Sequence, residues 1–192
     1  MRDWAPYLCR SISGHGPAEC HNIIYPLNYL IMISIKMQEA INAQINAEMW
    51  SAYLYLAMSM DAEDKLLKGM AHWFHKQYEE EMEHAFKFVA YLQAQQAKVI
   101  LHPIAEVPAT WNSALAMYEH TLEHEKKVTS LIHALSTLAI AEKDYATQNI
   151  LQWYVNEQVE EEATAHDIVE TLRRIGDDQY HLYEYDRHLG KR

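Results

Sequence analysis

Apolar residues recur every three or four positions along most of the chain from Lys36 onward. This spacing is typical of one face of an α-helix, which has 3.6 residues per turn. The pattern is interrupted between its long periodic segments, so it predicts four long helices that each direct one face to a shared core. The residues predicted to form these faces are Ile41, Ile45, Ala52, Tyr55 and Ser59 in the first helix; Leu66, Met70, Trp73, Phe88 and Leu92 in the second; Leu115, Tyr118, Leu122, Thr129, Ile132 and Ala139 in the third; and Leu151, Tyr154, Ala165, Ile168 and Leu172 in the fourth.

The interruptions predict the connections between these helices. Residues 61–64 are expected to form a short acidic turn, and Pro103 and Pro108 lie in a long connection after the second helix. Thr110 is the expected N-cap of the third helix and Asp144 that of the fourth. Short polar side chains favour this position because they accept hydrogen bonds from the free N–H groups of a helix start.

The end of the chain predicts one more element. Gly176 suits the C-terminal end of the fourth helix, and residues 178–189 form a short amphipathic segment. Two short turns and one long crossover therefore predict an all-α fold, a four-helix bundle with a short fifth helix at its C-terminus.

The first 31 residues differ from the rest because they carry no helical period and contain several helix breakers. These are Pro6, Gly14, Gly16, Pro17 and Pro26. We expect residues 1–31 to form an irregular N-terminal extension, with Met32 as an alternative starting residue. Residues 32–192 are expected to form one domain, long enough to bury a core without disulfides.

The composition narrows the possible partners and the compartment. The formal net charge of −11 argues against nucleic-acid binding and is compatible with attracting cations. Cys9 and Cys20 provide neither a disulfide framework nor a CxxC metal motif, so free thiols in a reducing compartment are expected. The longest apolar run, residues 23–35, is interrupted by Pro26 and Asn28 and falls short of the ~20 residues of a membrane span. It is also a poor signal peptide, which indicates a cytoplasmic protein with no membrane partner.

Polar residues interrupt each predicted core face near its middle. They are Glu48 in the first helix, Gln77, Glu81 and His84 in the second, Glu125 in the third, and Gln158 and Glu161 in the fourth. Glu48 and Glu81 each lie about fifteen residues from the turn between their helices, or ~22 Å at 1.5 Å per residue. Glu125 and Gln158 each lie about fourteen residues from the next short turn. The side chains are therefore predicted to be level with one another within each pair of helices.

Carboxylates in an apolar core must be protonated or neutralised by cations, because an unpaired buried charge is strongly unfavourable. Oxygen ligands with one imidazole favour iron or manganese. Glu81 and His84 are three residues apart, which puts them on one helix face as a shared metal requires. Each motif alone is more often a solvated helix face, and a metal-free structural bundle is an alternative. The four level interruptions together favour a metal centre.

Several stretches of the sequence resemble the bacterial non-heme ferritins. They are Asn46-Ala47-Glu48, Glu80-Glu81-Met82-Glu83-His84, His124-Glu125, and the segment of residues 151–162, Leu-Gln-Trp-Tyr-Val-Asn-Glu-Gln-Val-Glu-Glu-Glu. The resemblance covers roughly residues 34–190 and implies a ferritin-like four-helix bundle. It also implies an iron storage protein with ferroxidase activity. Such a protein oxidises ferrous iron with dioxygen at a di-iron centre inside each subunit and stores ferric oxyhydroxide in a hollow shell of 24 identical subunits.

The resemblance also implies roles for individual residues. One iron is expected on Glu48, Glu81 and His84, with Glu81 bridging to the second. The second iron is expected on Glu125 and Glu161, with Gln158 close by. A third iron position is expected at Glu80, Glu157 and Glu160, and Tyr55 and Trp153 are expected beside the centre.

Two other possible ligand sites are not expected to be used. Met82 corresponds to a methionine that ligates heme in heme-binding relatives, but non-heme members carry it too, so heme is not expected. His120 and His124 lie one turn apart and have the spacing of a zinc site. Exposed helix histidines rarely bind zinc, so no zinc is expected either.

Other functions of the same bundle are alternatives to iron storage. A ferritin-like oxygenase or peroxidase needs an open pocket beside the metals, and the missing CxxC weakens the rubrerythrin version. A DNA-protecting mini-ferritin is disfavoured by the short terminal helix, the ligands inside the bundle and the lack of a basic tail.

Overall fold

The computed structural model describes residues 33–191, which include five α-helices. They are α1 (Ile35–Asp64), α2 (Lys68–Ala94), α3 (Ala114–Glu142), α4 (Tyr145–Ile175) and α5 (Gln179–Leu189). Short turns make α1 with α2, and α3 with α4, into antiparallel hairpins, and residues 95–113 cross between the hairpins. The predicted all-α fold with a long crossover and a short fifth helix is confirmed. The expected extension, residues 1–31, and its alternative start Met32 lie outside the described residues.

In three of the four long helices, the side chain of the N-cap residue accepts a hydrogen bond from the first turn. Ser34 accepts a hydrogen bond from Met37 N (3.0 Å), and Asp144, as predicted, accepts one from Thr147 N (3.0 Å). The prediction of Thr110 as the cap of α3 is wrong, because that helix begins later and Ser113 caps it. The Thr110 hydroxyl instead donates to Asp61 Oδ1 (3.0 Å).

The predicted acidic turn at residues 61–64 is also wrong, because α1 continues through Asp64 and the turn lies at residues 65–67. Asp61 is buried, and its carboxylate accepts hydrogen bonds from the crossover. It pairs with Lys65 and accepts a hydrogen bond from Trp111 N (3.0 Å), so it holds the end of the crossover against α1. Leu66, predicted to lie on the core face of α2, is 77% exposed in this turn and has a φ of 62°.

The apolar core consists of two clusters with a polar layer between them. One cluster surrounds Tyr55, Phe74 and Tyr118, and the other surrounds Ile41 and Phe88. Every other residue predicted for the core faces is buried or partly buried. The polar interruptions lie on all four helices between the two clusters, and they therefore occupy the middle of the bundle.

The short helix α5 packs against the start of α2. Leu67, the N-cap of α2, has no side-chain hydrogen bond to the helix. Asp186 from α5 caps the helix instead, because its carboxylate accepts hydrogen bonds from Gly69 N (3.1 Å) and Met70 N (2.8 Å). A Cβ on Gly69 would lie 1.7 Å from the carbonyl oxygen of Asp186, so only glycine permits this close approach.

The apolar side of α5 is covered partly within the chain itself. Leu182, Tyr185 and Leu189 pack against the core cluster of Tyr55, whereas Tyr180 and Tyr183 are exposed. None of the helices between residues 33 and 191 is both long enough and apolar enough to cross a membrane.

Candidate metal centre

Two helices supply a compact group of three possible metal ligands. Glu48 of α1 and Glu81 and His84 of α2 each offer a ligand atom, and these atoms all lie within 4.8 Å of one another. The three residues are 1%, 2% and 6% exposed, respectively. Glu81 and His84 share a face of α2 because they are one turn apart. Among the described residues this is the one group of His, Cys, Asp and Glu that meets this distance criterion.

The third helix adds a further buried carboxylate beside this group. Glu125 is 1% exposed, and its charge acts on both Glu48 and Glu81. The Tyr55 hydroxyl donates to Glu125 Oε1, and Gln158 Nε2 donates to Glu125 Oε2 (3.1 Å). Two helices, α1 and α4, therefore orient the carboxylate of α3.

Side-chain amides also orient carboxylates on α1 and α4. Gln44 Nε2 donates to Glu48 Oε1 (3.0 Å), and Gln77 Nε2 donates to Glu161 Oε2 (3.0 Å). Glu161 is partly buried on α4, and its charge acts on Glu81. The structure thus brings the six predicted di-iron residues of all four helices to one level of the bundle.

Burial favours the uncharged forms of the candidate ligands. It raises the pKa of Glu48 to about 7, and it raises that of Glu125 as well. The pKa of Glu81 lies well above its usual range because of burial first and then the charges of Glu125 and Glu48. Burial, with a contribution from Lys87, lowers the pKa of His84 to about 4, which keeps its imidazole neutral and able to bind a metal.

Two carboxyl oxygens of the centre have unused bonding capacity. Glu48 Oε2 and Glu81 Oε2 are fully buried, and neither has a hydrogen-bonding partner in the described part of the chain. Buried polar atoms are normally satisfied, so such a pair needs an explanation. A divalent cation would coordinate both oxygens and neutralise the carboxylates. The residues present therefore fit a metal with a preference for oxygen ligands and one nitrogen.

The residues expected to hold a third iron gather beside this centre, in a pocket of about 250 Å³ between α2 and α4. The pocket is lined by Glu80, Glu83, His84, Trp153, Glu157, Glu160, Glu161 and Thr164. Burial raises the pKa of Glu157, followed by the charges of Glu160 and Glu80. His84 and Glu161 connect the pocket with the buried ligands.

Aromatic side chains border the centre on two sides. The rings of Trp153 and His84 are 5.3 Å apart, and Lys87 Nζ lies 3.8 Å from the centroid of the Trp153 ring. The Tyr154 hydroxyl donates to the carbonyl oxygen of His84 (2.7 Å). Tyr55 and Trp153 thus lie beside the centre, Tyr55 through its bond to Glu125.

His120 and His124 were expected to be exposed, and this expectation is wrong. His124 is 7% exposed, and its Nε2 lies 2.8 Å from Ser51 Oγ. His120 is partly buried and accepts a hydrogen bond at Nδ1 from Trp111 Nε1 (2.9 Å). Both imidazoles take part in hydrogen bonds within the chain, and burial lowers the pKa of each.

Several hydrogen-bonding partners of the candidate ligands were not predicted from the sequence. Gln44 lies one turn before Glu48, and its i, i+4 spacing to that carboxylate could have identified it. Thr129, treated as a core residue, accepts from Gln158 Nε2 (3.3 Å) and donates to Glu162 Oε1 (2.5 Å). Nothing in the sequence pattern indicates this bond between α3 and α4.

Comparisons with known proteins point to one family. The family model of the ferritin-like domain, Ferritin, matches residues 38–175. The bacterial non-heme ferritin of Bacteroides fragilis (strain 638R) is 47% identical over 161 residues, which is 84% of this chain and 100% of the relative. That of Campylobacter jejuni is 37% identical over 158 residues, 82% of this chain and 95% of the relative. The open-pore ferritin of the hyperthermophilic archaeon Archaeoglobus fulgidus superposes with a TM-score of 0.83 at 49% identity, covering 84% of this chain and 99% of the other.

Proposed function

This chain belongs to the ferritin family, and we propose that it oxidises ferrous iron with dioxygen and stores the ferric product. The observation that carries the proposal is the pair of fully buried, unpartnered carboxyl oxygens on Glu48 and Glu81, with His84 and Glu125 beside them. A structural bundle gains nothing from such a group, because apolar side chains of similar volume would be at least as stable. A cation accounts for every one of these side chains.

The ligands divide into two proposed iron positions. Glu48, Glu81 and His84 hold one iron, and Glu81 bridges to the other. Glu125 and Glu161 hold the second, with Gln158 orienting Glu125. This division is supported by the position of the side chains in the bundle. The residues proposed for the first iron lie on α1 and α2, and Glu125 and Glu161 lie on α3 and α4. Two ferrous ions held close together supply two electrons to one dioxygen molecule, which with two protons becomes hydrogen peroxide.

The protein side chains favour this chemistry in three ways. Anionic oxygen ligands stabilise the higher charge of ferric iron over ferrous iron. The hydrogen bonds from Tyr55, Gln44 and Gln158 fix the carboxylates before the metal arrives. Burial raises the pKa of Glu48 and Glu125, so protons compete with ferrous iron for these carboxyl groups and are released when the metal binds.

A third iron position is proposed at Glu80, Glu157 and Glu160, in the pocket between α2 and α4. Ferric iron then passes to a mineral inside a shell of 24 identical subunits, and we propose no role for heme, nucleic acid or a membrane. A cytoplasmic location and a single domain at residues 32–192 also remain predictions. The DNA-protecting mini-ferritin remains disfavoured, since α5 is present and packs against the bundle.

Aerobic iron loading followed by particle sizing tests the proposal. We expect a particle of the mass of a 24-mer that binds far more iron per subunit than the three proposed positions hold. A protein that holds no more than three irons per subunit would contradict storage. A 12-subunit particle would contradict the proposed shell.

A further inference from the structure

An apolar groove lies between α1 and α3, on the side of the bundle away from the acidic pocket. Its volume is about 280 Å³, and its walls include Ala40 and Ala43 of α1 and Leu131, Ala134 and Leu135 of α3. Gln44 supplies the one polar side chain among the groove residues. Small alanine side chains leave the groove open between the two helices.

Gln44 connects this groove to the metal centre. It is 4% exposed, and its Nε2 donates to Glu48 Oε1 (3.0 Å) while the residue also lines the groove. A single side chain therefore separates the groove from a proposed iron ligand. The second oxygen of that ligand, Glu48 Oε2, is buried and has no hydrogen-bonding partner within the described residues.

The acidic pocket approaches the same centre from the opposite face of the bundle. Its walls come from α2 and α4, and it reaches the centre at His84 and Glu161. Carboxylates suit a divalent cation on its way to the centre. The apolar groove does not, because a hydrated ferrous ion would lose water there without gaining ligands.

We infer that the groove between α1 and α3 is the route by which dioxygen reaches the centre, separate from the acidic pocket that receives ferrous iron. This inference rests on the proposed ferroxidase function. Dioxygen is small, uncharged and apolar, so it partitions from water into apolar surroundings. The separation keeps the two reactants apart until they meet at the ligands, and Gln44 remains bonded to Glu48 beside the route.

Filling the groove tests the inference. Ala134 is exposed, so Ala134→Phe adds a ring to the groove without overfilling the core. Ala141→Phe is the matched control, since Ala141 is also exposed on α3, two turns further along, and does not line the groove. Initial rates of ferrous iron oxidation are measured over a range of dissolved oxygen concentrations, and Co²⁺ binding is measured without oxygen.

For Ala134→Phe we expect a severalfold higher KM for oxygen, with the maximum rate and the Co²⁺ stoichiometry of the wild-type protein. The control is expected to match the wild-type protein throughout. Equal oxygen dependence in the two variants would overturn the oxygen route and leave the proposed function intact. Loss of Co²⁺ binding in Ala134→Phe would also overturn it, because the groove would then serve the ligands instead. A wild-type protein that does not oxidise iron would overturn the ferroxidase proposal itself.

Discussion

The hydroxyl of Tyr55 on α1 donates a hydrogen bond to Glu125 Oε1 on α3, so a residue outside the proposed ligand set orients one of the ligands. Both side chains are buried in the middle of the bundle. This bond joins the two helical hairpins at the level of the metal centre. It makes the position of the second proposed iron dependent on a side chain that is not among the proposed ligands.

Tyr55→Phe should therefore weaken the second metal position selectively. A hydrogen bond to a charged group is worth about 1.5–3 kcal/mol, so affinity for the second Co²⁺ should fall at least tenfold while the first is unchanged. Anaerobic Co²⁺ titration followed by visible absorbance measures both steps. Tyr154→Phe is the control for the second position, because that buried hydroxyl donates to the backbone carbonyl of His84 and not to a carboxylate. If Tyr55→Phe bound both Co²⁺ ions with the affinities of the wild-type protein, this would contradict the role of Tyr55.

The metal-free protein should lose stability as the pH rises through the pKa of Glu48. That pKa is about 7 in the folded protein, above the usual 4.5, so folding favours the protonated form. The resulting stability is fully present below pH 4.5 and is lost as the pH rises through about 7. Glu48→Gln should remove this contribution, while the raised pKa values of Glu81 and Glu125 continue to act in both proteins.

At pH 8 with chelator, Glu48→Gln should therefore melt higher than the wild-type protein, and at pH 4.5 the two should melt together. The opposite pH dependence of His84 affects both proteins and cancels in the comparison. Glu39→Gln, an exposed change on the same helix, serves as the control and should show no such difference. Identical melting temperatures of Glu48→Gln and the wild-type protein at pH 8 would show that ionisation of Glu48 does not destabilise the metal-free protein.

Glu157→Ala should separate the third iron position from the buried pair. The fast oxidation of two irons per subunit should persist, and the number of irons oxidised before mineral growth should fall. Glu83→Ala is the control, because Glu83 lines the same pocket but is not a proposed ligand. Loss of the fast phase in Glu157→Ala would mean that Glu157 belongs to the primary centre.

Gly69→Ala should displace α5 from the start of α2. The added Cβ would overlap the carbonyl oxygen of Asp186, and such overpacking costs about 1–3 kcal/mol. In a chain truncated after Gly176 the same change should instead be neutral or stabilise by about 0.5–1 kcal/mol, because alanine is the better helix residue. Thermal denaturation followed by circular dichroism measures both effects. The same sign in both chains would contradict the docking of α5 through Gly69.

The truncated chain should itself remain helical while its shell weakens. The core faces of the four long helices end at Leu172, but Asp186 no longer caps α2. We expect a lower melting temperature and smaller particles by light scattering. An unchanged 24-subunit particle with a full mineral core would show that α5 is dispensable for assembly.

Periodicity identified the helices and the level of the centre because both depend on spacing along one helix. Glu48 and Glu81 could be placed opposite each other by counting residues from the turn. The pattern gave the wrong position for Leu66 because an apolar residue in a turn looks the same as one on a helix face. It also misjudged Thr110, because Ser113, three residues later, caps α3 instead.

Contacts between residues far apart in the chain could not be predicted from the sequence pattern. Asp186 caps a helix that begins well over a hundred residues earlier, and no local signal marks this partnership. The burial of His124 against Ser51 likewise depends on the packing of α1 against α3. The candidate ligands could be proposed from the sequence because a carboxylate in an apolar face is conspicuous, whereas the amide of Gln44 and the hydroxyl of Thr129 are not.

Stopped-flow oxidation of ferrous iron in air tests the central claim most directly. The wild-type protein should oxidise two irons per subunit in a fast phase, with one dioxygen consumed per two irons. Glu81→Ala and His84→Ala should lose this phase and yet remain folded, since removing Glu81 also relieves repulsion among the buried carboxylates. Glu83→Ala, on the same helix between them and exposed, should retain it. Fast oxidation of two irons per subunit in both Glu81→Ala and His84→Ala would contradict the assignment of this centre.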